Sequence, residues 1–198
     1  MTSNSKTPIF IHSLFRSGST YLFKVFRRAD NLYYCYQEPF NQYLENLNTN
    51  VDDLLEVDFE MQQSLRHPEI TKPYFYEFIQ IQESLTGLFN IDFSYEDYFI
   101  DLDEEGFKSQ FRYIDTLIKK SPAIPVLQFC RTSGRIHAVK NAFPGIHIHL
   151  WREPRNQWWS YNINGFFMAA TQLIYTAKKV PDVLNEIKNL IEFKQRYL

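Results

Sequence analysis

Four short apolar runs, rich in β-branched and aromatic residues, divide the chain. They are Pro8–Phe15, Leu32–Tyr36, Ile124–Cys130 and Ile146–Trp151, each closed by polar or proline-bearing residues. Runs of that length and composition predict buried strands. After the first run, Leu22, Val25 and Phe26 recur at helical spacing, so a helix begins near Ser19 and extends to Arg28. Residues 41–66 show no strand period and predict helices joined by Asn-rich turns. Stretches 74–89 and 104–120 also read as helical. A helix over Arg135–Phe143 is stopped by Pro144-Gly145, and another starts at Pro154, the favoured first helical position. Residues 181–198 predict an amphipathic helix. Strands alternating with helices imply βαβ units, a mainly parallel sheet and an α/β fold with helices flanking it.

The length of 198 residues suits one domain, 1–198, with a helical acidic insertion at about 45–120. Hydrophobic residues at 44% and aromatics at 17% supply a core, which excludes a mainly disordered chain. The longest apolar runs fall short of the roughly 20 residues that span a bilayer, so no transmembrane segment is expected. The polar start, Met1–Thr7, predicts no secretory signal. Cys35 and Cys130 lie far apart inside apolar runs and predict two buried reduced thiols.

The net charge of −2 conceals three blocks. Residues 1–44 are net +3, residues 45–105 net −14 and residues 106–198 net +9. Basic flanks around an acidic middle suit a small polyanion and not a nucleic acid, whose partners are usually basic overall. The acidic block is either a solvated helical face or the border of a substrate cleft.

Candidate chemistry gathers just after predicted strands, where ligands bind in parallel α/β sheets. Arg16-Ser17-Gly18-Ser19-Thr20 links the first strand to a helix. Such a turn aims backbone N–H groups at an anion, Gly18 allows close approach, and the hydroxyls add donors. The G-x-x-x-x-G-K-[ST] pattern is absent, which removes the main support for a magnesium-dependent nucleotide-triphosphate site. After the fourth strand, Arg152 precedes Ser160 by eight positions.

Together these segments resemble the sulfotransferases that use 3′-phosphoadenosine 5′-phosphosulfate (PAPS). Arg16 to Tyr21 matches that family's 5′-phosphosulfate loop, and Arg152 with Ser160 matches its 3′-phosphate pair. Phe143-Pro144-Gly145 before the strand fits the same pattern. Tyr36-Gln37-Glu38-Pro39-Phe40-Asn41 is similar to the Glu-Pro segment of carbohydrate-type and bacterial sulfotransferases. The matched blocks cover residues 8–41 and 124–162.

The resemblance implies a P-loop-like three-layer fold, PAPS as co-substrate, no metal, and a small-molecule or carbohydrate acceptor. It assigns Arg16 and the loop Ser17, Gly18, Ser19, Thr20 and Tyr21 to the 5′-phosphosulfate, and Arg152 with Ser160 to the 3′-phosphate. Glu38 is the candidate base for the acceptor hydroxyl, its alternative a carboxylate that only pairs with Arg16 or orients the substrate. Arg131 and Arg135, after the third strand, are candidate cofactor or substrate contacts, against solvated or ion-paired roles. His12, His147 and His149 read as satisfied core or edge histidines. Trp158 and Trp159 read as helix packing in preference to adenine stacking, and aromatics of Tyr74–Phe78 are expected at the acceptor cleft. The family's glycine-rich cofactor loop after the Arg–Ser pair has no counterpart here. A cytoplasmic enzyme is expected, and the alternative is a catalytically incomplete, sulfotransferase-like nucleotide-binding protein.

Overall fold

The computed structural model describes residues 6–55 and 72–190. Its frame is one four-stranded, all-parallel sheet: β1 (Ile9–Ser13), β2 (Tyr33–Gln37), β3 (Ile124–Phe129) and β4 (Ile146–Leu150), in the order β2-β3-β1-β4. The four apolar runs are thus strands; three are shorter than the run that announced them, and β2 keeps the run's length but is shifted by one residue. In register, Phe10 lies beside Leu127 and His147, and Cys35 beside Val126.

Alternation along the strands separates two apolar layers. Ile9, Ile11, Cys35 and Val126 face α1 (Ser19–Arg27), whose Phe23 packs among them. Phe10, Tyr36, Leu127 and Phe129 face the other way, into a larger cluster rich in phenylalanine and tyrosine. That second layer comes mostly from the stretch between β2 and β3. A 3₁₀ helix (Gln42–Asn48), the one-turn helices α2 (Tyr76–Ile79) and α3 (Gln82–Leu85), a 3₁₀ turn (Ile91–Phe93) and α4 (Glu105–Lys120) build it.

The insertion is less regularly helical than its sequence predicts. Over 74–89 the chain makes two single turns, Tyr76–Ile79 and Gln82–Leu85, and Tyr74, Phe75, Phe78 and Leu85 are all buried in the core. Gly87, at φ 74°, takes the left-handed conformation after them. Residues 56–66 of the expected helices lie outside the described residues.

After β3 come α5 (Ile136–Ala142), β4, α6 (Pro154–Tyr161), α7 (Gly165–Tyr175) and α8 (Asp182–Leu190). Pro154 does open α6, and Glu153 caps it by accepting from the N–H groups of Arg155 (3.1 Å) and Asn156 (2.9 Å). The segment 191–198 of the last predicted helix lies outside the described residues.

The charge blocks meet in the fold. Arg27, in the last turn of α1, makes a two-pronged pair with buried Glu77 (2.9 and 2.7 Å). Lys178 pairs with Asp92 (2.6 Å) and Asp97 (3.4 Å), and Lys179 with Glu104. Part of the acidic block therefore neutralises the basic flanks of the same chain. Both cysteines are free and buried, and burial pushes each thiol up to about 12. Among the described residues, no helix is long and apolar enough to cross a membrane.

Candidate functional site at the strand ends

The carboxyl ends of β1, β3 and β4 converge on one edge of the sheet. Beyond β1 the chain turns sharply, with Arg16 at φ 62° and Gly18 at φ 93°. Gly18 stands at the N-cap of α1, and a Cβ added there would meet nothing within 4 Å. Glycine is therefore demanded by the backbone angle, and the space above it is open. As the first residues of a helix, Gly18, Ser19 and Thr20 have N–H groups with no carbonyl one turn earlier to bond. The α1 dipole adds positive potential there.

Two segments expected to act at separate phosphates are joined. Arg16 donates from Nε to Ser160 Oγ at 2.9 Å, and Arg152 donates from Nη1 to the Arg16 carbonyl at 3.2 Å. The Arg16 guanidinium also lies over the Phe167 ring, 5.3 Å from its centre. Gln157 of α6 donates to the Phe15 carbonyl (2.7 Å) and locks the helix against the loop.

The loop hydroxyls serve the protein. Ser17 Oγ donates to the Leu14 carbonyl (2.8 Å), which closes the turn. Ser19 Oγ is buried 3.4 Å from Cys130 Sγ, and Thr20 Oγ1 accepts from Gln37 Nε2 at 3.5 Å. Ser17 thus spends its hydroxyl proton on the protein and the Ser19 hydroxyl is buried against Cys130, so the expected ligand donors narrow to the backbone amides and Thr20, which only accepts from Gln37. Tyr21 is 70% exposed beside the loop.

Glu38 follows β2 and is held at φ 46°. Among the described residues, Arg16 and Glu38 are the two non-glycine positions with positive φ. A non-glycine residue in that region is uncommon, and such strain clusters at functional positions. The Glu38 carboxylate is engaged from several sides. Its Oε1 accepts from Tyr74 OH (2.9 Å), and its Oε2 accepts from Asn41 Nδ2 (3.1 Å) and from Arg131 Nη1. The pairing proposed with Arg16 is thus supplied by Arg131.

Arg131 is fully buried. It donates from Nη2 to Gln42 (2.7 Å) and Tyr95 (3.3 Å), and packs over the rings of Phe15 and Tyr95. Burial alone would lower its pKa, but Tyr95 and the Glu38 carboxylate hold it above the usual range. Arg135 is equally buried, over Phe40, and donates to the carbonyls of Arg131 and Phe93. Burial lowers its pKa to about 9. Both arginines contact protein in this conformation: Arg131 takes the ion-paired alternative, with Glu38, and Arg135 bonds backbone carbonyls.

Other expectations divide. His12 is a satisfied core histidine: its Nδ1 meets Thr132 Oγ1 (2.9 Å) and its Nε2 meets His147 Nδ1 (3.0 Å), whose Nε2 reaches the Phe143 carbonyl (3.0 Å). Because a carbonyl only accepts, His147 donates there, His12 donates to His147, and Thr132 donates to His12. Burial, with His147 and His149, lowers the pKa of His12 to about 3. His149 lies at the exposed edge. Trp158 (59% exposed) and Trp159 (70%) are not helix packing; they point outward from α6. Tyr74, Phe75 and Phe78, expected at a substrate cleft, are core residues.

Sequence reading missed Gln42, Tyr74 and Tyr95 as partners of the Glu38–Arg131 pair. Gln37 offered a partial signal, a polar residue ending an apolar run, and it proves to bridge Thr20, Tyr74 and Gln128. No family model, curated protein or solved structure matches the chain.

Proposed function

We propose that the chain is a PAPS-dependent sulfotransferase with a hydroxyl-bearing, carbohydrate-type acceptor. The observation that carries this reading is the paired backbone strain at Arg16 and Glu38, the two residues assigned catalytic roles from sequence. The open cradle over Gly18, the helix N-terminus and the cations Arg16 and Arg152 fit a nucleotide with phosphate-type groups.

In the reaction, the acceptor oxygen forms a bond to sulfur while the bond from sulfur to the bridging phosphate oxygen breaks. The acceptor's proton passes to the Glu38 carboxylate. The loop amides and Arg16 stabilise charge on the departing phosphate, and Arg152 with Ser160 holds the 3′-phosphate. Positioning and charge neutralisation supply most of the rate, as in phosphoryl transfer.

One observation favours a second reading, a nucleotide-binding protein without turnover. Tyr74, Asn41 and Arg131 already occupy Glu38, which competes with its use as a base. A single pair of measurements separates the cases. Adenosine 3′,5′-bisphosphate should raise the melting temperature well above the shift from adenosine 5′-monophosphate. At 100 times its Kd it adds about 2.7 kcal/mol of stability. Incubation with radiolabelled PAPS and a sugar panel should then yield sulfated acceptor. Binding without product supports the second reading, and equal shifts from the two nucleotides remove both.

A further inference from the structure

A second polar cleft lies away from the strand-end loop and shares no residue with it. It opens where the 3₁₀ helix Gln42–Asn48, the Gly87–Asn90 turn and α4 meet, and its volume is about 480 Å³. Pockets for small ligands commonly run to 300–1,000 Å³. Its wall is built. Asn48 uses both ends of its side-chain amide to join helix and turn: Nδ2 donates to the Phe89 carbonyl (3.2 Å) and Oδ1 accepts from the Gly87 N–H (2.8 Å).

Two opposite charges line this cleft, Glu45 and Arg112, and they form no ion pair with each other or with other described residues. Glu45 Oε2 is buried and has no hydrogen-bond donor. Such an oxygen is costly unless something compensates it. On the same α4 helix, Lys108 pairs with Glu105 and Lys119 with Asp115 at 2.6 Å, so carboxylates do reach its cations elsewhere. Arg112 alone of these three faces the cleft. Further donors stand nearby. Asn90 spends its Oδ1 on the Asp92 N–H (3.0 Å), which leaves Nδ2 available, and Ser109 adds a hydroxyl.

We propose that this cleft binds a small zwitterion of amino-acid type, either a free amino acid or a short peptide with unblocked ends. The ligand's ammonium sits against Glu45 and its carboxylate against Arg112, whose planar fork matches a carboxylate in two hydrogen bonds. Asn90 and Ser109 complete the carboxylate's shell. A ligand carrying one charge leaves the opposite wall unpaired, so selectivity falls on the presence of both ends. The volume favours peptides of two or three residues over a single amino acid.

The test measures binding to the full chain by calorimetry and thermal shift. The probes are glycine, lysine, dialanine and trialanine, with the N-acetylated and C-amidated forms of each peptide. A free peptide should bind, and blocking either end should weaken it about tenfold or more. Arg112→Gln should erase the penalty for amidation, and Glu45→Gln the penalty for acetylation, each without affecting the other. The chemical series uses the unaltered chain, so it decides even where a variant folds poorly. Absence of binding by every probe overturns the proposal. So does equal binding of blocked and free peptides, or acetate competing as well as the peptide, which would mark a simple anion site. Nucleotide binding at the strand-end loop is read separately and bears on neither outcome.

Discussion

The stretch between β2 and β3 and the helices α6 and α8 handle their aromatic residues in opposite ways, while α7 between those helices buries Phe167. Between β2 and β3, phenylalanine and tyrosine are driven inward: Phe40, Tyr74, Phe75, Phe78, Phe89, Phe93 and Tyr113 are all buried in one cluster. After β4, α6 and α8 bury no residue, and Trp151, Trp158 and Trp159 stand in solvent. The candidate site lies on the seam. Glu38 and Arg131 belong to the packed side, and Arg152 and Ser160 to the sparse one. The lesson is that the same residue type, arginine above all, serves a structural end on one side and remains available for a ligand on the other.

The largest expected effect breaks this contrast at its centre. Arg131→Met removes the guanidinium paired with the buried Glu38 carboxylate and should cost about 3–5 kcal/mol of unfolding free energy in urea. Arg152→Met, at an exposed arginine, should stay within about 0.5 kcal/mol. Comparable losses in the two variants would show that the seam does not divide the molecule as described.

A second perturbation uses pH. His12 is buried neutral, with its folded pKa near 3, far below the unfolded value of about 6.5. The unfolded chain therefore binds the extra proton between those values, and this contribution is complete above pH 6.5 and lost as pH falls toward 3. The loss by pH 4.5 is on the order of 2–3 kcal/mol. His12→Gln should flatten this part of the stability profile. A variant with the same acid sensitivity as the parent would move its origin to other groups.

The smallest effect tests the sparse side. Trp159→Ala removes a side chain with no core role and should change stability by less than about 0.5 kcal/mol. A loss above about 2 kcal/mol would mean that α6 packs in solution in a way its exposure belies.

The sheet was legible because its strands are short, β-rich and bounded by turn residues, so Ile9, Tyr36, Val126 and Ile148 announce themselves locally. The loop at Arg16–Thr20 was legible for the same reason: glycine and small polar residues between a strand and a helix leave few alternatives. Arg131 and Arg135 were not. A strand-end arginine reads equally as a ligand contact, a solvated side chain or half of an ion pair until partners such as Glu38, Gln42, Phe93 and Tyr95, some 36 to 93 residues away, enclose it. The turns at 74–89 hid for another reason. Their aromatics keep helical spacing along the chain, so the break between Ile79 and Gln82 leaves no mark in the apolar pattern. The outward tryptophans reversed a sound prior, since a Trp-Trp pair on a helix is more often covered than bare.

The strand order has a consequence for the chain while it is being made. β1 and β2 emerge first but never touch, because β3 lies between them. No ladder of the sheet can close until residues 124–129 have left the ribosome. At the ordinary pace of synthesis, 5–20 residues per second, the interval from β2 is on the order of ten seconds. Throughout it the two completed strands lack the neighbour that joins them, and the aromatic segment lacks Leu127 and Phe129 to pack on. Transiently exposed apolar surface and unpaired strand edges of this kind are what makes a nascent chain prone to aggregate.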